Sequence, residues 1–212
     1  MVKRITAEKA LKPDILIVEH KEQSLVAKDF REKAWIARYL WGPLNIGYEK
    51  FLLNKLSGVA RIPQVIGLED YNCLLISRID GDEIKKCSHL MASDFFDQLL
   101  NIADEIHARG VLHLDLGHKS NIMVDHDGNP AIIDFNVSLY LPPNPFFRPL
   151  ICLLAKIDRY SILRLKVKFR PQDASPSEKR GVERFLALRK LWIFDRLLRK
   201  ITNYSKKAGS RN

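Results

Sequence analysis

The segment from His113 to Phe135, HLDLGHKSNIMVDHDGNPAIIDF, constrains the fold and chemistry of this chain more than any other stretch. Two apolar runs, NIMVD and AIIDF, flank the turn-forming residues HDGNP, a pattern that predicts a tight hairpin. The open end of such a hairpin brings Asn121 and Asp134 to one side, while the turn points away. Asp115 lies six residues before Asn121. The segment therefore gathers hard oxygen atoms of the kind that hold Mg²⁺ beside phosphates.

Length and composition are those of a globular protein. With 212 residues, 46% of them hydrophobic, the chain can form one compact domain or two lobes that share an interface. Charged residues interrupt every apolar run before it reaches membrane-spanning length. The first residues lack the features of a secretory signal. Because Cys73, Cys87 and Cys152 match no metal-ligand spacing, we expect reduced thiols in a cytoplasmic protein.

The first third of the chain reads as a sheet with one helix. The runs DILIVEH and SLVAKDF, at 14–20 and 24–30, predict an antiparallel hairpin. A helix is expected at 46–57, ended by Gly58. Two further strands are expected at 63–68 and 73–79. Asp80-Gly81 then punctuates the chain, and we place a domain boundary there.

Helices dominate the remainder. The segment SDFFDQLLNIADEIHAR predicts a helix at 93–109, with Ser93 as the N-cap and Arg109-Gly110 as the stop. Beyond the predicted hairpin, two more helices are expected at about 149–167 and 177–204. Segregated sheet and helix of this kind predict an α+β fold.

Taken in order, five residues resemble the signature of the protein-kinase-like superfamily: Lys28 in VAK, Glu49, Asp115, Asn121 and Asp134. The resemblance covers roughly residues 14–140. It is closest to small bacterial RIO-like serine/threonine kinases and more distant to lipopolysaccharide-core sugar kinases. It implies a two-lobed fold, with a reduced sheet-containing N-lobe at 1–79 and a shortened helical C-lobe at 80–212.

The resemblance also implies a role for each matching residue. Lys28 would neutralise ATP phosphates and be held in place by Glu49. Asp115 would orient the acceptor hydroxyl and take its proton. His113, which resembles the histidine that supports this loop, completes the catalytic pair. The metal ligands for Mg²⁺ would be Asn121 and Asp134.

The segment LLISRIDGDEI resembles the hinge between kinase lobes. The backbone from Ser77 to Ile79 would exchange hydrogen bonds with adenine. Ile76 would guard the back of the nucleotide pocket. These three residues complete the expected nucleotide-binding set.

The chain departs from the kinase pattern around the phosphates and metal. No glycine precedes Gly42, so the glycine-rich loop that normally covers the phosphates is missing, and phosphate binding must depend more on Lys28 and metal or be weak. The spacing from Asp115 to Asn121 is six residues where most kinases have five, which leaves Ser120 as a reserve metal ligand. Asn136 replaces the glycine of Asp-Phe-Gly, a modest change because Asn tolerates unusual backbone angles.

Two further departures agree with each other. Leu114 stands where kinases commonly carry an arginine that reads a phosphorylated activation loop. The residues after Asn136, VSLYLPPNPFFRP, are too few for such a loop and lack Ala-Pro-Glu. We therefore expect that loop phosphorylation does not regulate this protein and that a peptide-docking platform is reduced.

The net charge of +10 is carried by the last third, where residues 148–212 hold 18 Lys and Arg against 5 Asp and Glu. The helix expected at 177–204 would place Trp192, Phe194, Leu197 and Ile201 on an apolar stripe among cations. That stripe either packs on the helical lobe or contacts an anionic membrane surface peripherally, at the inner face. No nucleic-acid partner is expected, because stacking aromatics do not alternate with the basic residues.

Together these features predict a kinase, an ATP- and Mg²⁺-dependent phosphotransferase with an alcohol group as acceptor. The RIO-like resemblance suggests a serine or threonine acceptor. The reduced platform and basic tail suggest instead a sugar or lipid headgroup of the cell envelope. A third reading is a catalytically silent nucleotide-binding module, motivated by the missing glycine-rich loop.

Overall fold

A computed structural model of the chain describes residues 3–4, 11–20 and 23–191. Two compact units are present, Met1–Ile162 and Leu163–Asn212. The structure is mixed α/β with small antiparallel sheets. The proposed boundary between 1–79 and 80–212 stays a prediction. Among the helices of the described residues, none combines the length and apolar character needed to cross a bilayer.

The first unit opens with a five-stranded antiparallel sheet, formed by β1 Lys3–Arg4, β2 Asp14–His20, β3 Gln23–Asp29, β4 Val65–Asp70 and β5 Cys73–Ser77. The strands lie in the order β1-β2-β3-β5-β4. The hairpin predicted from DILIVEH and SLVAKDF is confirmed as the β2–β3 pair. The strands predicted at 63–68 and 73–79 are confirmed as β4 and β5. β4 begins and ends two residues later than predicted, and β5 ends two residues earlier.

Side-chain alternation along β3 divides the two faces of this sheet. Ala27 pairs with Leu75 and joins an apolar cluster with Cys73 on one face. The next residue, Lys28, pairs with Leu74 and therefore points to the other face. An apolar strand thus carries a buried ammonium on the face opposite this cluster.

Helix α1, Gly42–Lys55, follows a π-helical turn at Ala37–Trp41. It begins four residues earlier than predicted and continues directly from that turn, because the Gly42 N–H donates to the Ala37 carbonyl. Pro43, which has no N–H to donate, lies where the π-helical turn meets α1. Gly58, with φ of +80°, follows its end, as the sequence indicated. One helical face buries Ile46, Glu49 and Leu53.

The predicted hairpin at 121–135 is present as β8 Ile122–Val124 and β9 Pro130–Ile132. A two-residue strand, β6 Asp82–Glu83, extends it to three strands, and α2 Ile84–Cys87 follows. A second pair joins β7 Val111–Leu112 to β10 Leu139–Tyr140. The two-residue strands were not predicted.

Helix α3, Phe95–Ala108, confirms the helix expected near 93–109, but its predicted cap is wrong. Asp94, not Ser93, occupies the N-cap position, and no side chain caps the helix there. The Asp94 carboxylate instead accepts a hydrogen bond from Gln98 Nε2 at 3.0 Å.

Two helices complete the described chain, α4 Arg148–Phe169 and α5 Pro176–Leu191. Ser175 and Glu178 form a reciprocal capping box at the start of α5, with bonds of 2.7 and 3.1 Å. The rest of the helix predicted to reach 204, with Trp192, Phe194, Leu197 and Ile201, lies outside the described residues.

Candidate active site

A buried ion pair joins the sheet to α1. Lys28 Nζ, on β3, lies 2.5 Å from Glu49 Oε1, and their side chains are only 8% and 1% exposed. Lys28 Nζ also lies 3.5 Å from Asp134 Oδ1, which follows β9. The structure therefore brings together one ammonium and two carboxylates from three separate stretches of the chain.

These contacts set the protonation of the group. Burial by itself would lower the pKa of Lys28, but Glu49 and Asp134 raise it above its usual value, so the ammonium stays charged. Burial raises the pKa of Glu49, and the Lys28 charge limits that rise. Burial also opposes ionisation of Asp134, yet the nearby Lys28, His113 and Lys12 bring its pKa below the ordinary value. Asp134 is therefore a carboxylate at neutral pH.

The hairpin brings Asn121 and Asp134 to its open end. Ile122 pairs with Ile132. The N–H of Ile133 donates to the Asn121 carbonyl at 2.9 Å. At the opposite end, the Asp125 carboxylate accepts from the Asn129 N–H at 2.7 Å and closes the turn. The strand–turn–strand geometry expected from the sequence is present.

Asp115 lies beside Asn121 in the loop that precedes the hairpin. Asn121 Nδ2 donates to Asp115 Oδ2 at 3.0 Å and to the Asp115 carbonyl at 3.2 Å. The Asn121 side chain thus bridges the six-residue spacing between Asp115 and Asn121. Ser120 Oγ contacts Asn121 Oδ1 at 3.3 Å, so the reserve ligand named from the sequence adjoins the first choice.

The donor set at this open end fits a Mg²⁺ ion. Because Asn121 directs its amide nitrogen to Asp115, its side-chain oxygen, which accepts a hydrogen bond from Ser120 Oγ, would be the metal ligand. The Asp134 side chain is 42% exposed, and its Oδ1 bonds Lys28 and Asn136. Two hard oxygens suit an ion that takes its remaining ligands from phosphates and water. No cluster of three or more His, Cys, Asp or Glu side chains suited to a metal occurs among the described residues.

Asp158 is a site residue that the sequence analysis missed. It lies on α4, is completely buried, and accepts hydrogen bonds from the backbone N–H groups of His113 at 2.8 Å and Leu114 at 2.7 Å. It also contacts His107 Nε2 at 2.9 Å. Leu114 has a φ of +62°, an unusual conformation for a residue with a side chain. Asp158 therefore holds the residue before Asp115 in a strained backbone shape.

His113 is buried and cannot reach a substrate. Its Nε2 lies 3.2 Å from the Ile133 carbonyl, and its ring contacts Phe135 with centroids 5.0 Å apart. Burial lowers the pKa of His113 below its usual value, against the opposing charge of Asp158. The His113 ring connects the loop of Asp115 to the segment that leads from β9 to Asp134.

Lys12 is a second residue that sequence reasoning missed. It lies just before β2, in the connection from β1 where the glycine-free stretch occurs, and its side chain is exposed. Its charge helps to lower the pKa of Asp134. The Lys12 charge thus acts on Asp134 from the stretch before Gly42, which contains no glycine.

The expected hinge lies at the end of β5. Ile76 is buried, and the Ser77 N–H donates to the Gln64 carbonyl at 2.8 Å. Ser77 Oγ in turn accepts from the Gln64 N–H at 2.8 Å. The Ser77 N–H is therefore already bonded within the sheet, and the adenine contacts expected of the Ser77 carbonyl and of Ile79 stay predictions.

The segment after Asn136 makes contacts with both α1 and β7. Tyr48 Oη, on α1, donates to the Ser138 carbonyl at 2.9 Å, and β10 pairs with β7. Phe51 meets Tyr140 edge to face, with ring centroids 5.2 Å apart. These contacts hold the segment against the helix that carries Glu49.

Comparison with known proteins gives partial similarities to protein kinases, and no family model matches the chain. The chain is 30% identical over 86 residues to CBL-interacting serine/threonine-protein kinase 21 of Arabidopsis thaliana, covering 38% of this chain and 20% of that protein. It is 28% identical over 102 residues to serine/threonine-protein kinase ppk34 of Schizosaccharomyces pombe, covering 43% of this chain and 28% of that protein. The chain is also 31% identical over 93 residues to CBL-interacting protein kinase 32 of rice, Oryza sativa subsp. japonica. That similarity covers 41% of this chain and 21% of the rice protein.

The chain thus spans between a fifth and three tenths of the length of these relatives. The similarities support a protein-kinase-like chain, and the mixed α/β structure is compatible with that fold.

Proposed function

We propose that this protein is an ATP-dependent phosphotransferase that moves the γ-phosphate to a hydroxyl group, within a two-lobed protein-kinase-like fold. The observation that carries the proposal is the position of Lys28 Nζ, 2.5 Å from Glu49 and 3.5 Å from Asp134. A buried ammonium oriented by one carboxylate and facing a second, more exposed one is suited to receive phosphate oxygens.

In this mechanism Lys28 neutralises the α- and β-phosphates, and Glu49 fixes its direction. Mg²⁺ held by Asn121 and Asp134 would supply further neutralisation of the phosphate charge. Asp115 orients the acceptor hydroxyl and accepts its proton as the oxygen bonds to the γ-phosphorus. The bond from that phosphorus to the β–γ bridging oxygen breaks, and ADP leaves. Catalysis rests on orientation and electrostatics.

The acceptor we favour is a serine or threonine hydroxyl, as in RIO-like kinases, either on another protein or on this chain. A sugar or lipid headgroup of the cell envelope is the alternative. It is supported because the segment after Asn136, which would form a peptide-docking platform, is short and is held by contacts with α1 and β7. The protein would act in the cytoplasm, with peripheral membrane contact through its basic C-terminal helix.

A catalytically silent nucleotide-binding module is the second candidate. The specific observation in its favour is that Lys28 and Asn136 both bind Asp134 Oδ1, at 3.5 and 2.8 Å, so this oxygen already has partners. The glycine-free stretch before Gly42 points the same way. Against it, a silent module has no need of the Asp115 carboxylate.

Incubation with γ-labelled ATP and Mg²⁺, with and without envelope extract, separates these candidates. Label on protein supports the serine/threonine kinase, and label on glycolipid supports the envelope kinase. Nucleotide binding without any transferred label supports the silent module. The Asp115→Asn variant is the control for contaminating kinases, because label that persists with it does not come from this site.

A further inference from the structure

A group of large apolar side chains is exposed around the start of α1. Trp35, Ile36, Tyr39, Leu40, Trp41 and Leu44 form what we call the aromatic ridge. Each is between 48% and 71% exposed. Single exposed apolar residues are ordinary, but six within ten positions are a concentration that monomers seldom leave open to water.

The ridge is not a displaced part of the core. Ala37, which lies inside this stretch, is buried, and the inward face of α1 is already filled by Ile46, Leu52 and Leu53. The ridge residues occupy the outward positions of the same turn and helix. Their exposure is therefore built into the local fold, which implies an external partner.

The charges of this stretch select among partners. Residues 33–48 contain Lys33 and Arg38 but no Asp or Glu. Lys33 is paired with Asp14 at 2.7 Å, whereas the Arg38 guanidinium lies 5.3 Å from the centre of the Tyr39 ring. A cation beside Tyr39, in a stretch whose nearest exposed carboxylate along the chain is Glu32, complements a negatively charged surface.

The side-chain types select a lipid surface. Trp and Tyr place an apolar ring and a polar tip at the same site, which suits the boundary between headgroups and acyl chains. Leu40 and Leu44 add aliphatic area at the same place. A second copy of this chain is the competing occupant, and the flotation test below distinguishes it from a lipid surface.

We propose that the aromatic ridge docks the protein on an anionic lipid surface, with its Trp, Tyr and Leu side chains in the interfacial layer and Arg38 at the headgroup phosphates. This contact is separate from the one expected of the basic C-terminal segment. It is independent of the proposed function, because vesicle binding requires neither nucleotide nor transfer.

The test is flotation of the full-length protein with vesicles of phosphatidylcholine alone or phosphatidylcholine mixed with phosphatidylglycerol. The variant Trp35→Ser/Leu40→Ser removes two ridge residues that are 71% and 62% exposed. The matched control, Phe146→Ser/Leu153→Ser, removes two apolar residues that are 81% and 58% exposed near the start of α4. We expect binding to the anionic vesicles, weakened about tenfold or more by the ridge variant and retained by the control.

A positional readout keeps the proposal falsifiable if a variant folds poorly. In a Trp192→Phe background the remaining tryptophans are the two of the ridge, Trp35 and Trp41. Lipids brominated near the headgroup should quench their fluorescence on the anionic vesicles. Failure of the folded protein to bind, full binding by the ridge variant, or binding without quenching would each overturn the proposal. So would a ridge variant that only dissociates a dimer in solution.

Discussion

The carboxylate of Asp158 accepts a hydrogen bond from the backbone N–H of Leu114 at 2.7 Å, across 44 residues of sequence. Leu114 holds φ at +62° and directly precedes Asp115. A conformation of this kind persists only where surrounding contacts enforce it. Asp158 supplies that enforcement from α4, and the direction of the Asp115 side chain depends on it.

Asp158→Asn is therefore predicted to destabilise the fold by about 3 kcal/mol, because the new amide leaves buried donors near His113 and Leu114 without a full set of acceptors. Denaturant unfolding measures the loss. Asp104→Asn is the control, since its ion pair with Arg159 is about half exposed and worth at most about 1 kcal/mol. Equal losses in the two variants would contradict the anchoring role.

The Lys28–Glu49 pair is predicted to be strongly coupled. Lys28→Met or Glu49→Leu alone leaves one buried charge without its partner and should cost about 3 to 5 kcal/mol. The double variant replaces the pair by apolar side chains, so its loss should be clearly smaller than the sum of the single losses. A double-mutant cycle on unfolding free energies measures the coupling. Additive losses would show that the contact is not formed in solution.

Lys12 is predicted to contribute to nucleotide binding, given the proposed function. Lys12→Ala should raise KM for ATP about three- to tenfold and change kcat little, with the effect shrinking as salt is added. Lys86→Ala, which removes an exposed cation of α2, is the matched control. A KM change shared by both variants would assign the effect to overall charge.

The hairpin turn should give the fold a defined acid sensitivity. Burial opposes ionisation of Asp125, but hydrogen bonds from Asn129 and Arg61 lower its pKa below the ordinary value. Its stabilising contribution is therefore complete above the ordinary carboxylate pKa and is lost as the pH falls through the lowered folded-state pKa.

Unfolding measured against pH tests this assignment. Asp125→Asn should cost about 1 kcal/mol near neutral pH and little in acid, where the native carboxyl is protonated. Asp127→Asn, a change at an exposed position of the same turn, should leave the profile unaltered. A loss that is constant across the pH range would rule out the charge of Asp125 as its source.

Local sequence patterns predicted the elements that place the candidate site. The β2–β3 hairpin and the β8–β9 hairpin follow from alternation and turn residues, and α1 and α3 follow from helical spacing. The observed ends differ from the predicted ones because the first and last residues of an element depend on their contacts in the folded chain. In α3, for example, the N-cap position is occupied by Asp94 and not by Ser93. The joint position of Lys28, Glu49 and Asp134 was expected from resemblance, not from any local pattern.

Asp158 shows what the sequence could not reveal. It lies in DRYSILRLK, where a lone acid among cations reads as a surface residue. Its burial and its bonds to His113 and Leu114 arise only when α4 packs on a loop 44 residues away. Two-residue strands such as β6 and β7 were missed for a related reason, because two residues are too few to show a period.

The most direct test of the central claim compares nucleotide binding and phosphate transfer in the wild type and Asp115→Ala. With purified protein, γ-labelled ATP and Mg²⁺, we predict that the variant binds nucleotide as tightly as the wild type. We predict also that it loses transfer by at least about a hundredfold. A variant that keeps full turnover would contradict the assigned site, and a wild type that binds nucleotide yet transfers no label to protein or glycolipid would contradict the reaction itself.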